Sequence, residues 1–247
     1  MRGILTYHSI DDSGSVISID PATFRRHVAW LASGAVKVVA LDAITSMPAD
    51  DDAVAITFDD GFANFGSLAA PLLAEHGLPA TVFVVSGAVG GTNAWRGVGD
   101  AGIPTLPLLG WEALGRLAAA GFEIGAHTRT HADLARAGAA AVDDEIAGSR
   151  DAIGAEIGIA PRAFAYPYGH VGASADAVAR HFAWGCTTEL RTVGPHDRPA
   201  LLPRLDSYYF RDARRLARWG STRMRCFIQL RARARGFRQR ISTMGER

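Results

Sequence analysis

The chain has 247 residues but only two cysteines, Cys186 and Cys226, and they lack CxxC spacing. A disulfide framework and a cysteine-based zinc finger are therefore excluded, and we expect a reducing compartment. No uncharged run of about 18 apolar residues occurs, and His8 interrupts the first apolar run before it reaches signal-peptide length. We therefore expect a protein that neither spans a membrane nor is exported. Repeats of 20 to 50 residues are also absent, which excludes solenoids and propellers.

The composition is that of a globular protein, with 48% hydrophobic and 21% charged residues. The charge is unevenly distributed. Residues 204–247 contain 13 arginines and three acidic residues, a net charge of +10, whereas the remainder has 13 basic and 22 acidic residues, a net charge of −9. We predict a globular domain over residues 1–206 and a basic, amphipathic, helical extension over residues 207–247.

Short apolar runs alternate with segments of helical spacing along most of the chain. This alternation predicts an α/β fold with a parallel sheet covered on both faces. The alternation alone leaves a barrel and an open doubly wound sheet equally possible. The predicted strands are residues 3–7, 36–41, 53–58, 80–85, 122–125, 163–166, 184–187 and 201–205.

Polar residues follow two of these predicted strands directly. Asp59 and Asp60 follow one, and His127 and His131 follow another. Taken separately, the two aspartates are typical of a solvated turn. Two histidines four residues apart are typical either of a metal site on one face of a helix or of a helix end that has no function. Together, the four residues supply three metal ligands and a neighbouring base, which predicts a catalytic metal site with open positions.

The motifs around these residues resemble those of the polysaccharide deacetylases, carbohydrate esterase family 4. The resemblance extends over about residues 3–206, and the motifs occur in the family's order and spacing. They are TFDDG at 57–61, HTRTH at 127–131 and FAYPYG at 164–169, supported by LTYH at 5–8, PATVFV at 79–84 and LPRL at 202–205.

This resemblance implies a distorted (β/α)7 barrel and metal-dependent removal of an N-acetyl group from an amino sugar. Asp60, His127 and His131 match the family's metal ligands, and the implied metal is Zn²⁺. Asp59 matches the general base that activates the attacking water. The backbone N–H of Tyr168 matches the donor that stabilises the oxyanion.

The chain departs from the family pattern at two positions. Ala165 stands where many members have an arginine that braces the catalytic aspartate. Arg204 could supply this guanidinium, or it could be a surface arginine that opens the basic extension. A histidine that protonates the leaving amine is missing near residue 204. His8, at the end of the first predicted strand, is a candidate for this acid, and a structural histidine is the alternative.

The variant motifs resemble the exopolysaccharide and glycan-biosynthesis branch of the family. We therefore expect a cytoplasmic enzyme that acts on an N-acetylated glycan or on a lipid-linked or nucleotide-linked glycan precursor. Trp95, in a glycine-rich loop, and Tyr166 are the predicted substrate contacts. The alternatives are a hydrolase of a non-sugar cyclic amide or imide on the same fold, and a glycan-binding scaffold without catalysis.

The basic extension carries apolar residues between its arginines, which predicts one or two amphipathic helices. Such a segment could contact an anionic membrane at its inner face, near a lipid-linked substrate. Alternatively, it packs on the acidic body and leaves an arginine-rich end. Nucleic-acid binding is not expected, because no nucleic-acid-binding motif accompanies the charge.

Overall fold

The computed structural model describes residues 1–95, 97 and 99–245, with side chains through residue 237. Its strands are β1 (Arg2–Tyr7), β2 (Ser9–Ile10), β3 (Ser18–Ile19), β4 (Lys37–Val38), β5 (Ala53–Phe58), β6 (Thr81–Val84), β7 (Glu123–Ala126), β8 (Ala163–Ala165), β9 (Trp184–Cys186) and β10 (Leu205–Asp206). The α-helices are α1 (Pro21–Ala32), α2 (Leu41–Ile44), α3 (Ala70–Glu75), α4 (Trp111–Ala119), α5 (Ala139–Ile157), α6 (Ala175–His181) and α7 (Thr222–Gly245).

Seven strands form a curled parallel sheet in the order β10-β1-β5-β6-β7-β8-β9, and β4 pairs with β5 beside this path. Every residue of β1 and of β5 is buried, as in strands covered on both faces. A parallel bridge between Cys186 and Leu202 carries the sheet from β9 toward the segment that precedes β10. The predicted distorted (β/α)7 barrel is confirmed.

Aromatic side chains fill the layer between the sheet and the helices that follow its first strands. The ring of Phe58 stacks on Tyr7 at 5.1 Å between centroids and meets Phe65 edge-on at 4.7 Å. Tyr7 also donates a hydrogen bond to Nδ1 of the buried His27. This packing fixes β1 and β5, whose carboxyl ends carry the first residues of the candidate site.

Two strand predictions are wrong in extent. In the run 36–41 only Lys37–Val38 is a strand, because Leu41 and Asp42 begin α2, where an acidic residue suits the first turn. In the run 201–205 a 3-10 turn, Pro199–Leu201, comes first, and pairing with β1 starts at Leu205. Pro203 between them has no backbone N–H to donate.

The predicted C-terminal extension, residues 207–247, contains α7 over Thr222–Gly245, and its residues 246–247 lie outside the described residues. Two 3-10 turns, Ser207–Phe210 and Ala213–Arg218, lead into α7. The first part of this segment belongs to the main core through Phe210, Leu216, Trp219, Met224 and Ile228. In the part of the chain that the structure describes, no helix combines the length and apolar character that crossing a membrane requires.

Trp219 should contribute strongly to the stability of the barrel. Its Nε1 donates to the backbone oxygen of Met1 at 3.0 Å, and its ring packs against Trp30. We expect Trp219→Ala to lower the free energy of unfolding by about 3–5 kcal/mol in urea denaturation. Phe237→Ala is the control, because Phe237 is 67% exposed. Equal, small effects of both substitutions would contradict the inclusion of this segment in the core.

Candidate active site

The site lies at the carboxyl edge of the sheet, where parallel strands of a barrel present their polar residues. His8 follows β1, Asp59 and Asp60 follow β5, and His127 follows β7. Tyr168 lies in the 3-10 turn Pro167–Gly169 after β8. The topology therefore brings together residues that are up to 160 positions apart in the chain.

A buried ion pair joins Asp59 and Arg204, each only 2% exposed. Nη1 of Arg204 donates to Oδ1 of Asp59 at 2.6 Å, and Nη2 donates to Oδ2 at 2.7 Å. Nε of Arg204 donates to the backbone oxygen of Thr187 at 2.9 Å. The interpretation of Arg204 as a surface arginine is therefore wrong. Its guanidinium binds both carboxylate oxygens of Asp59, as the alternative prediction required.

This pair sets the charge of Asp59. Burial by itself would raise the pKa of the carboxyl. The charge of Arg204 and its two hydrogen bonds lower the pKa by more than burial raises it, so the pKa lies below its usual range. Asp59 is therefore ionised at neutral pH although it is buried.

Asp60, His127 and His131 form a second buried cluster beside this pair. Nε2 of His127 and Nε2 of His131 each lie 3.4 Å from Oδ1 of Asp60. That oxygen has no hydrogen-bond partner among the described residues. Nδ1 of His127 donates to the backbone oxygen of Ala165 at 2.8 Å, which leaves the lone pair of Nε2 directed at the cluster.

The donor atoms of this cluster fit a divalent cation. One donor atom from each residue lies within 4.8 Å of the others. Ligands bound to a tetrahedral zinc at 2.0–2.1 Å are about 3.4 Å apart, which matches the two separations from Asp60. A buried carboxylate oxygen without a hydrogen-bond donor is costly, and a cation would offset that cost.

Without an ion, burial and the charges of the neighbouring side chains oppose each other in setting the protonation of these groups. Burial would raise the pKa of Asp60, but the neighbouring histidines hold it well below its usual range. Burial would lower the pKa of His127, but Asp60 and Asp59 raise it overall. For His131, burial prevails and lowers the pKa to about 4, so this ring is neutral at pH 7 and has a lone pair to offer a metal.

The two histidines do not share a helical face, so that expectation is wrong. They lie at the ends of a loop in which Thr128 and His131 have φ of +64° and +60°. The buried Glu145 of α5 holds this loop, because its carboxylate accepts the backbone N–H groups of Arg129 and Thr130 at 2.8 and 2.9 Å. Sequence reasoning missed Glu145, since nothing in its local pattern distinguishes it from other acidic residues of a helix.

Left-handed backbone conformations concentrate at this site. Among the described residues, four other than glycine have a positive φ, and all four lie here: Asp60, Thr128, His131 and Tyr168. Each such conformation costs on the order of 1–3 kcal/mol and persists only where the surrounding contacts impose it. The site is therefore held in one arrangement by the fold.

The remaining predicted residues differ in their access to the site. Nε2 of His8 lies 3.8 Å from Oδ2 of Asp59, and this side chain is partly exposed. The ring of Trp95 stacks on His131 with centroids 4.5 Å apart, and the hydroxyl of Tyr168 lies 3.2 Å from Nδ1 of His131. Tyr166 is fully buried and donates to the backbone oxygen of Ala200, so its prediction as a substrate contact is wrong.

A groove of about 1080 Å³ adjoins the site at Tyr168. Its walls are the loop around Thr188, the loop around Asp197, and α7 at Ala232 and Arg235. Arg235 donates a hydrogen bond to Oγ1 of Thr188 at 3.1 Å and so joins two of these walls. This volume exceeds the range of about 300–1,000 Å³ that is usual for small-ligand pockets.

The ion pair with Asp59 predicts a large effect of Arg204→Gln. The substitution leaves a buried carboxylate without its cation and should lower the free energy of unfolding at pH 7 by about 3–5 kcal/mol. The pKa of Asp59 is lowered by folding, so the pair stabilises the protein above the unfolded pKa of about 4 and stops doing so as the pH falls through the folded pKa. The difference from the natural protein should therefore shrink in acid, as measured by urea denaturation from pH 7 to pH 3.

Arg198→Gln is the control for this experiment. Arg198 pairs with Asp176, but both side chains are exposed, so its loss should change the free energy of unfolding by less than about 1 kcal/mol. A pH-independent loss in Arg204→Gln would contradict the ionised state of Asp59.

The chain was compared with known families, curated proteins and solved structures. The model of the polysaccharide deacetylase family matches residues 46–184. YxkH of Bacillus subtilis (strain 168), whose name assigns it provisionally to the polysaccharide deacetylases, is 32% identical over 92 residues. That match covers 35% of this chain and 33% of YxkH, so the chain spans about a third of the length of this relative.

Solved structures resemble this fold over most of the chain. The Streptococcus pyogenes deacetylase PplD, solved in complex with acetate, is 21% identical, with a TM-score of 0.69 over 83% of this chain and 91% of PplD. IcaB from Ammonifex degensii is 23% identical, with a TM-score of 0.69 over 83% of this chain and 93% of IcaB. At these identities the likeness establishes the shared barrel.

Proposed function

The chain belongs to the polysaccharide deacetylase family, and on that premise we propose that it hydrolyses the acetamide of an N-acetylhexosamine in a glycan and releases acetate, using a divalent metal. The observation that carries this proposal is the juxtaposition of the Asp59–Arg204 pair with Asp60, His127 and His131 at one end of the barrel. An ionised base thereby lies beside a set of metal ligands.

Asp60, His127 and His131 would hold the metal, and we infer Zn²⁺ from the two imidazoles and one carboxylate. When bound, the ion supplies Lewis acidity, which polarises the acetyl carbonyl and makes water easier to deprotonate. His131 offers its neutral ring, and His127 is oriented by the backbone oxygen of Ala165. The protein thus fixes the orientation and protonation of these side chains for metal binding.

Asp59 acts as the general base. It is ionised at neutral pH and takes a proton from the water that attacks the acetyl carbon, while Arg204 fixes both of its oxygens. The backbone N–H of Tyr168 donates to the carbonyl oxygen as negative charge develops there. The C–N bond then breaks, His8 gives a proton to the departing amine, and the products are acetate and a free amino sugar.

The shape of the site favours a glycan substrate. The groove beside Tyr168 extends well beyond the catalytic residues, and Trp95 at the rim offers a ring on which a sugar can stack. A small cyclic amide or imide would leave most of this groove unused. A scaffold that only binds glycans would not need the four strained residues at the metal site.

We propose a cytoplasmic enzyme whose substrate is a glycan or a carrier-linked precursor and not a nucleic acid. Both cysteines are free, which suits a reducing compartment. Contact with an anionic membrane through the C-terminal segment would suit a lipid-linked precursor.

Acetate release from N-acetylglucosamine and N-acetylgalactosamine oligosaccharides tests this function. We expect the purified protein to contain metal and release acetate, and a chelator to abolish the release. Asp59→Asn should retain metal but lose activity by a factor on the order of 10² or more, because it removes the base. His127→Ala should lose both metal and activity. His76→Ala, in an exposed histidine, is the control.

The outcomes separate the alternatives. Bound metal without acetate release from any oligosaccharide would contradict a free glycan as the substrate and leave a carrier-linked precursor or a non-sugar amide or imide. Absence of metal would favour the scaffold. Full activity of Asp59→Asn with normal metal content would contradict the role of Asp59.

The role of His8 has its own test. His8→Gln should lower acetate release from an oligosaccharide by about 10²–10⁴-fold, because the amine departs poorly without a proton. Hydrolysis of p-nitrophenyl acetate should change little, since its leaving group needs no proton, and metal content should be unchanged. Equal losses with both substrates would contradict the assignment of His8 as the acid.

A further inference from the structure

A cluster of arginines lies on the surface formed by the turn Ala213–Arg218 and the first half of α7. It surrounds a cavity of about 550 Å³ whose apolar floor is Met224 and Phe227. Asp212 is the single carboxylate among the described lining residues. We call this cavity the arginine pocket, and its arginines are Arg214, Arg215, Arg218, Arg223 and Arg231.

The positive charges of the arginine pocket are poorly compensated within the described residues. Asp212 pairs with Arg214 at 2.9 Å, and no described carboxylate forms an ion pair with the other four arginines. The guanidinium carbons of Arg215 and Arg231 lie 4.6 and 5.4 Å from the ring centroid of the same side chain, Phe227. Like charges held around one ring repel each other, and the attraction of each guanidinium to a bound anion would offset this repulsion.

An exposed apolar stripe borders the arginine pocket on α7. Leu230 and Phe237 are each 67% exposed, and Cys226 is also exposed. Leu230 lies four positions after Cys226, and Phe237 lies seven positions after Leu230, so the three side chains share one face of the helix. On a helical projection this face adjoins the row of Arg223, Phe227 and Arg231. Arginines flanking exposed leucine and phenylalanine are typical of helices that lie at a membrane interface.

We propose that the arginine pocket and the apolar stripe together bind the surface of an anionic phospholipid membrane. The guanidinium groups bind headgroup phosphates, for which their planar donors are well suited, and Leu230 and Phe237 enter the boundary of the acyl chains. A nucleic acid or a free phosphate would account for the arginines but would leave the apolar stripe without a partner. The two features together favour a lipid surface.

Docking of α7 has a consequence for the catalytic site. The second half of the same helix lines the groove beside Tyr168 through Ala232 and Arg235. A membrane bound along α7 would therefore lie near the groove, which would favour a substrate carried by a lipid. This consequence rests on the proposed function, whereas the binding of lipid does not.

Vesicle sedimentation with the full chain tests the proposal. We expect binding to vesicles of phosphatidylcholine mixed with phosphatidylglycerol and little binding to phosphatidylcholine alone. Arg218→Gln/Arg223→Gln should weaken binding by about tenfold or more, at about 1 kcal/mol for each charge near the surface. The matched control is Arg116→Gln/Arg180→Gln, which removes two exposed arginines of α4 and α6 and should have little effect.

A second variant tests the apolar stripe without a change in charge. Leu230→Ser/Phe237→Ser should also weaken binding, and its thermal unfolding should match the natural protein because both side chains are exposed. Equal binding to neutral vesicles, or equal losses in the control variant, would overturn the proposal. Tight binding of pyrophosphate or RNA without binding to the mixed vesicles would overturn it as well. Each result is independent of acetate release, so failure here leaves the proposed function standing.

Discussion

The bidentate ion pair between Asp59 and Arg204 is the interaction on which the candidate active site depends. A carboxylate with 2% of its surface exposed stays ionised only if a cation and hydrogen bonds replace its water. The pair also crosses β1, because Asp59 follows β5 and Arg204 precedes β10, which flank β1 in the sheet. Removing the charge would therefore disturb both the chemistry and the contact between early and late parts of the chain.

The cluster of Asp60, His127 and His131, the candidate metal ligands, depends on a second constraint, the left-handed backbone at the strand ends. Asp60 and His131 both have a positive φ, and both direct a donor atom at the same point. Conformations of this kind are unfavourable in isolation, so other contacts must offset their cost. Glu145 holds the loop that precedes His131, and the backbone oxygen of Ala165 fixes the ring of His127.

The alternation of strands and helices allowed a parallel sheet to be predicted, and the barrel followed from the resemblance of the motifs to the polysaccharide deacetylases. Four residues of the site could be predicted because acidic and imidazole side chains directly after parallel strands meet at one edge of the sheet. Arg204 could not be separated from a surface arginine, because its partner lies 145 residues away and local pattern does not report such contacts. The histidine spacing suggested a helix because spacing cannot reveal a positive φ. Tyr166 was misassigned because a motif does not show which way a side chain points.

The C-terminal segment shows why net charge is a weak guide to packing. The opposite charges of the body and the extension left two alternatives, packing of the extension on the acidic body or contact with an anionic membrane. The first part of the segment packs on the body, but through apolar side chains that include Trp219, Met224 and Ile228. No arginine of α7 forms an ion pair with a carboxylate among the side chains that the structure describes, and Arg235 bonds to a threonine. Because hydrophobic packing already anchors the helix, its positive charge remains available for an external anionic surface.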